Sequence, residues 1–169
     1  MLEDVIVNNL DVVFCGTAKG KTSYEKGYYY AGSGNKFYRV LYEAEFTPEK
    51  LKPSDCYSVN SYRIGLTDLV HSEYGNDNEI KDASYDVEGL VRKIKLYKPK
   101  FIAFNGKKSA SFVLGYRGIT SLVEYGLQKM VIGSTKIYVL PSTSGSARRF
   151  WDSRYWIELK SLIDRTKIY

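Results

Sequence analysis

Three stretches of the sequence hold residue types that could do chemistry. The first is Gly16-Thr17-Ala18-Lys19-Gly20, directly after the apolar run Leu10-Asp11-Val12-Val13-Phe14-Cys15. Two glycines after a buried strand permit a tight turn and bring backbone N–H groups toward a phosphate or a planar base. The spacing and the missing terminal Lys-Ser/Thr exclude a Walker loop, and the dinucleotide-binding fingerprint is also absent. The second stretch is Tyr28-Tyr29-Tyr30 followed by Asn35-Lys36-Phe37-Tyr38. A tyrosine beside a glycine loop can stack on a flat ring. An Asn at a helix start can bond a base edge or hold a water, or act as a plain helix cap. The third is Pro141-Ser142-Thr143-Ser144-Gly145-Ser146-Ala147-Arg148-Arg149, where small hydroxyl residues and two arginines suit phosphate oxygens. Ile64–Val70 contains a short apolar element that runs into a loop rich in Asn, Asp and Gly.

The elements that must position these residues follow from apolar spacing. Leu10–Cys15 and Phe101–Phe104 read as buried strands, the second ending at Asn105-Gly106. Met130–Ile132 and Lys136–Leu140 flank Gly133-Ser134 as a hairpin. Helices are expected over Asn35–Glu45, Ser84–Tyr97 (ended by Pro99), Lys107–Leu114 and Ser153–Arg165. Short helices are expected at Thr47-Pro48, which looks like an N-cap with proline in the first turn, and over Ser54–Tyr62. The region after Gly20 reads as a polar stretch, and Gly32-Ser33-Gly34 breaks the chain before the next helix. Strands alternating with helices predict an α/β fold: a three-layer α/β/α sandwich with a mainly parallel central sheet, in one domain spanning 1–169. Ligands of such sheets bind beyond the carboxyl ends of the strands, where the Gly16–Gly20 and Pro141–Arg149 loops both fall.

Composition narrows the partners. A net charge of +6 favours a polyanion, and 16 tyrosines offer rings with a polar handle for bases or sugars. Two cysteines, Cys15 and Cys56, and a single histidine make neither a disulfide scaffold nor a zinc site. No apolar run approaches a membrane span, and the acidic start Met1-Leu2-Glu3-Asp4 lacks the pattern of a secretion signal. The expected setting is the cytoplasm, at the nucleoid in a prokaryote.

Taken together, the motifs resemble the mismatch-specific uracil/thymine DNA glycosylases of the uracil-DNA glycosylase superfamily. The resemblance runs through Val12-Val13-Phe14-Cys15-Gly16, Asn35-Lys36-Phe37-Tyr38-Arg39-Val40-Leu41-Tyr42, Phe46-Thr47 and Leu51-Lys52-Pro53. It continues through Tyr62-Arg63-Ile64-Gly65-Leu66-Thr67-Asp68-Leu69-Val70 and Ile132–Pro141. Tyr29-Tyr30-Ala31 with Asn35, and Leu140-Pro141-Ser142-Thr143-Ser144, also resemble the hypoxanthine-DNA glycosylases.

The resemblance implies an uracil-DNA-glycosylase-like fold and a monofunctional enzyme. It would flip a deaminated or mismatched base (uracil, hypoxanthine or thymine) from DNA and hydrolyse its N-glycosidic bond. Such enzymes need no metal and no organic cofactor, and commonly act as monomers. Gly16, Thr17, Ala18, Tyr30, Asn35 and Ser142 would meet the base, with Tyr30 stacking on it. Lys19, Ser144, Gly145, Ser146, Arg148 and Arg149 would meet the DNA, and their loop would help fill the gap left by the flipped nucleotide.

One departure matters. The mismatch-specific family carries a water-positioning Asn where this chain has Ala18, followed by Pro where it has Lys19. Alanine cannot orient water. The hypoxanthine-DNA glycosylases also lack that Asn, so the candidates for its work here are Asp68, the only carboxylate in a segment that resembles the family, and Asn35, then Ser142 or Thr17. The alternative reading is a glycosylase-fold protein that binds damaged DNA and cuts it weakly or not at all.

Overall fold

The computed structural model describes residues 2–167. Its centre is a five-stranded sheet of β1 (Val12–Gly16), β2 (Ile64–Asp68), β3 (Phe101–Asn105), β4 (Gly126–Ile132) and β5 (Thr135–Leu140). The strand order is β2-β1-β3-β5-β4. The β1–β2, β1–β3 and β3–β5 pairs are parallel, and only the β4–β5 hairpin is antiparallel. β1, β2 and β3 are buried at every position, as strands covered on both faces must be.

Side chains alternate between two cores. Val12 and Phe14 point into one, with Phe101, Ala103, Tyr138 and Leu140. Val13 and Cys15 point into the other, with Ile102, Phe104, Ile137 and Val139. The first core is covered by α2 (Phe37–Glu43) through Phe37, Val40 and Leu41, and by α5 (Arg154–Arg165) through Trp156, Leu159 and Ile163. The second is covered by α3 (Val87–Tyr97) through Leu90 and Ile94, and by α4 (Lys107–Val113) through Ala110. The result is the three-layer α/β/α sandwich with a mainly parallel sheet expected from the sequence.

Local chemistry explains where the elements begin. The Asp86 side chain accepts from Gly89 N and starts α3 there, three residues after the expected boundary. Ser54–Tyr62 lies within a 3-10 helix, Pro53–Tyr62. One expectation is corrected. Thr47-Pro48 forms a bend and no helix, because the Thr47 hydroxyl donates to Glu49 O instead of accepting from a helical N–H. The polar stretch after Gly20 holds a short helix, α1 (Lys21–Lys26), closed by Gly27 in the left-handed region at φ 76°. No helix among the described residues is long and apolar enough to cross a membrane.

An aromatic column joins the first core to the carboxyl edge of the sheet. Trp156 stacks on Phe14 at 5.4 Å, Phe14 meets Phe37 edge-on at 5.4 Å, and Phe37 stacks on Tyr30 at 4.0 Å. Trp156 Nε1 also donates to Pro141 O at 3.2 Å, tying α5 to the end of β5. Trp156→Ala should cost about 3–5 kcal/mol from the lost ring, with the orphaned Pro141 carbonyl adding to it. Urea unfolding followed by circular dichroism would measure it, and a loss under about 1 kcal/mol would show that the column does not support the fold.

Candidate functional site

The strands β1, β2, β3 and β5 end on one edge, at Gly16, Asp68, Asn105 and Leu140. β1 sits between β2 and β3, so the chain leaves it to one side and returns on the other. A crevice opens at such a reversal of strand order. There the structure has a cleft of about 1110 Å³, lined by the Gly16–Lys21 loop, Tyr29, Tyr30, Gly32–Asn35, Asp68, Asn105–Lys108 and Ser142–Ala147.

Asp68 stands at the floor of this cleft. Parallel register pairs it with Gly16. A Cβ on Gly16 would lie 2.7 Å from Asp68 Oδ1 and 3.3 Å from the Tyr30 hydroxyl, so only glycine admits this arrangement. Asp68 is 6% exposed. Burial pushes its carboxyl up to about 7; Lys19 and Lys93 pull it down, and Asp4 and Asp77 push it up. Behind it, Lys93 pairs with Asp4 and donates to Thr67 Oγ1 at 3.3 Å.

Tyr30 closes one wall. Its backbone is left-handed, at φ 54°, and one ring face is covered by Phe37. Its hydroxyl is buried with no hydrogen-bond partner among the described residues. Burial and then Asp68 raise its pKa and keep it a neutral donor, against a lowering by the Asn105 side chain, which lies near it without meeting hydrogen-bond geometry. An unpaired buried donor beside a cleft is a group waiting for an acceptor.

The two expected loops meet here. Asn35 lies one residue before Lys36, the cap of α2, and its Oδ1 accepts from Phe37 N at 3.0 Å; its Nδ2 finds no acceptor among the described residues. Lys36 N donates to Thr143 O, and a Cβ on Gly145 would lie 3.3 Å from Gly34 O. Asn105 fixes the second loop from below: Nδ2 donates to Thr143 Oγ1 at 2.9 Å, and Oδ1 accepts from Thr143 N at 3.0 Å. Ser142 Oγ accepts from Ser144 N, and Ser144 Oγ from Ser146 N.

Gly16, Thr17, Ala18, Tyr30, Asn35, Asp68 and Ser142 therefore border one cavity, together with Lys19, Ser144, Gly145 and Ser146. Arg148 and Arg149 do not line it; they lie exposed on the 3-10 turn Gly145–Phe150. Lys19 is 8% exposed and donates to Glu73 O at 3.4 Å. Five participants escaped the motif reading. Asn105 offered one signal, a polar residue closing a buried strand. Asp77 sits in a loop read only as polar, and Lys107 and Lys108 open a helix. Phe150, one residue past the expected loop, is 58% exposed and borders the cleft.

Residues 4–162 match the model of the uracil DNA glycosylase superfamily. The chain belongs to that superfamily. It is also similar to a solution NMR structure from Methanosarcina acetivorans, of a protein provisionally named a uracil DNA glycosylase. That match has 25% sequence identity and a TM-score of 0.66, and it covers 98% of this chain and 96% of the other. The cleft at the carboxyl edge is thus set in a superfamily fold spanning nearly the whole chain.

The raised acid has a consequence for stability. Folded Asp68 titrates near 7 and an unperturbed aspartate near 3.8, so between these values the folded protein holds a proton that the unfolded chain has released. Stability should fall as pH rises through that window, by at most roughly 1.4 kcal/mol per pH unit, and level off above about 7. Asp68→Asn should remove this slope. Urea midpoints of both proteins from pH 4 to pH 8 would check it, and parallel curves would mean that the carboxyl is not held neutral.

Proposed function

We propose that the chain is a monofunctional DNA glycosylase that extrudes a deaminated or mismatched base and hydrolyses its N-glycosidic bond. The carrying observation is the buried Asp68 carboxyl against Gly16, at the floor of a cleft in a uracil DNA glycosylase superfamily member. Uracil opposite guanine, hypoxanthine and thymine are the substrates this reading favours, because weakly paired bases are cheapest to extrude. The motifs shared with mismatch-specific and hypoxanthine enzymes support the same choice.

The base enters between Tyr30 and the Gly16–Ala18 turn. Tyr30 presents its free hydroxyl and uncovered ring, and the Asn35 amide nitrogen faces a base carbonyl. Ionised Asp68 takes a proton from a water as the water oxygen bonds C1′ of the sugar. The C1′–N bond breaks, and its electron pair leaves with the base, which is protonated afterwards. Backbone N–H groups of the Gly16–Ala18 turn stabilise the negative charge on the leaving base. Ala18 offers no polar group, so orienting the water falls to Asp68, with Thr17 and Asn35 beside it. Lys19, Ser144, Gly145, Ser146, Arg148 and Arg149 meet DNA phosphates, which makes binding fall with salt. The protein acts as a single-domain monomer, in the cytoplasm or at the nucleoid, without metal or cofactor.

Labelled oligonucleotides carrying uracil, hypoxanthine, xanthine or thymine, single-stranded and opposite guanine, test this reading. Alkali reveals the abasic site. Wild type should excise at least one of these bases, with a single-turnover rate that rises with pH through about 7. Asp68→Asn should lower that rate by about 100-fold or more and abolish the rise, and Asn35→Ala should also impair excision. Lesion-selective binding without cleavage in the wild type would instead make this a binder, which Ala18 is the residue to favour.

Phe150 fits the gap left by an extruded base. It is an exposed apolar ring on the cleft rim, and the Arg149 guanidinium lies 5.1 Å from its centre. Phe150→Ala should slow excision from duplex about tenfold and leave single-stranded substrate nearly untouched, since only a duplex has a gap to fill. Equal losses on both substrates would assign Phe150 to folding of its loop.

A further inference from the structure

A second aromatic feature lies on the rim, outside the machinery described so far. Tyr24 on α1 and Tyr74 in the loop after β2 stack face to face, 4.1 Å apart and 2° from parallel. Tyr24 is 49% exposed and Tyr74 46%. They adjoin the cleft through their chain neighbours: Ser23, Lys21 and Gly20 on one side, and Gly75 and Asn76 on the other, all line it.

A plain structural staple does not account for the pair. The loop is already held by backbone bonds, with Gly75 N donating to Lys19 O at 2.9 Å and Lys19 Nζ donating to Glu73 O. A staple would also be buried, whereas these rings leave about half their surface in water. Charges of both signs lie beside them, with exposed Asp77 and Glu79 shortly after Tyr74. The Lys19 ammonium lies 6.0 Å from the centre of the Tyr24 ring, and Lys21 and Lys26 are exposed on the same helix, against Glu25. The Glu73 carboxylate is engaged by Ser84 Oγ and Lys81 N. A solvent-facing π surface with ammonium groups alongside suits a nucleobase carrying its own phosphate.

We propose that the Tyr24–Tyr74 pair is a stacking platform for a nucleobase flanking the one held in the cleft, with Lys21 at the adjoining phosphate. This rests on the reading that the cleft takes a nucleotide of DNA. The platform recognises no particular base, since every base has a π face. It serves single-stranded or locally opened DNA, where a neighbouring base is free to leave its own stack. It thereby extends the contact from one nucleotide to two and makes unpaired DNA a better ligand than closed duplex.

The test is a coupling measurement by fluorescence anisotropy. The probes are short fluorescein-labelled single strands with one central uracil, with each flanking base in turn replaced by an abasic residue. Tyr24→Ala/Tyr74→Ala should bind the intact strand about tenfold more weakly than wild type. Removing one particular flanking base should weaken wild type by a similar factor and leave the double variant unchanged. Tyr24→Phe/Tyr74→Phe should behave as wild type, and thermal melts should show all proteins folded. Losses that add regardless of the flanking base, or no loss at all, overturn the platform even if excision proceeds. Coupling in a wild type that cuts nothing keeps the platform and removes the glycosylase reading. A wild type that binds none of the strands overturns both.

Discussion

The site depends on one close approach: the Asp68 carboxylate occupies the space a side chain on Gly16 would need. Parallel pairing of β1 with β2 puts these residues opposite one another, and burial on both faces leaves the carboxyl little water. Glycine is needed at 16 for that space. No positive φ requires it, since Gly16 is absent from the left-handed positions. Larger residues at 16 would push the carboxyl aside, move the Tyr30 hydroxyl with it, and close the floor of the cleft. The pKa near 7, the unpaired tyrosine donor and the shape of the cavity therefore share one cause.

Rigidity reaches this point from the core. Trp156, Phe14, Phe37 and Tyr30 are in ring contact one after another, so the hydrophobic driving force that seats α5 and α2 also fixes the Tyr30 ring. Tyr30 pays with a left-handed backbone, a conformation of some strain for a residue with a side chain. The second loop has a different anchor. Asn105 uses both ends of its amide on Thr143, an arrangement that fixes loop position without filling the cavity. One wall is thus set by packing and the other by hydrogen bonds.

The layers and the strand ends were legible because period and burial are local properties of a sequence: Val12–Cys15 and Phe101–Phe104 are apolar throughout, one followed by Gly16 and the other by Asn105-Gly106. The two loops and Asp68 were legible as types. Their convergence was not, since it depends on strand order, which no segment encodes alone. Asn105 shows the limit well: its partner Thr143 is 38 residues away, so its sequence neighbours give no hint of the clamp. α1 was missed because Lys-Thr-Ser-Tyr-Glu-Lys has no apolar stripe and its boundaries are made by Gly20 and Gly27. Thr47-Pro48 misled for the converse reason: the cap chemistry is present, and the hydroxyl used it on Glu49.

The electrostatics around Asp68 bear on how a chain with Ala18 could still do the proposed chemistry. Two lysines and two aspartates act on the carboxyl in opposite directions, so burial dominates its shift. Lys19 and Lys93 offset only part of the lost hydration. In glycosidic hydrolysis a further positive charge appears as the bond breaks, when the sugar becomes oxocarbenium-like. In the proposed reaction the charge that Asp68 has not yet given up to the water's proton would be stabilised more in the transition state than in the ground state, which is the condition for an interaction to accelerate a reaction. An amide at position 18 would orient the water but carries no charge. Under the proposal a buried carboxylate one strand away would orient the water and accept its proton, at the cost of working only where it is ionised.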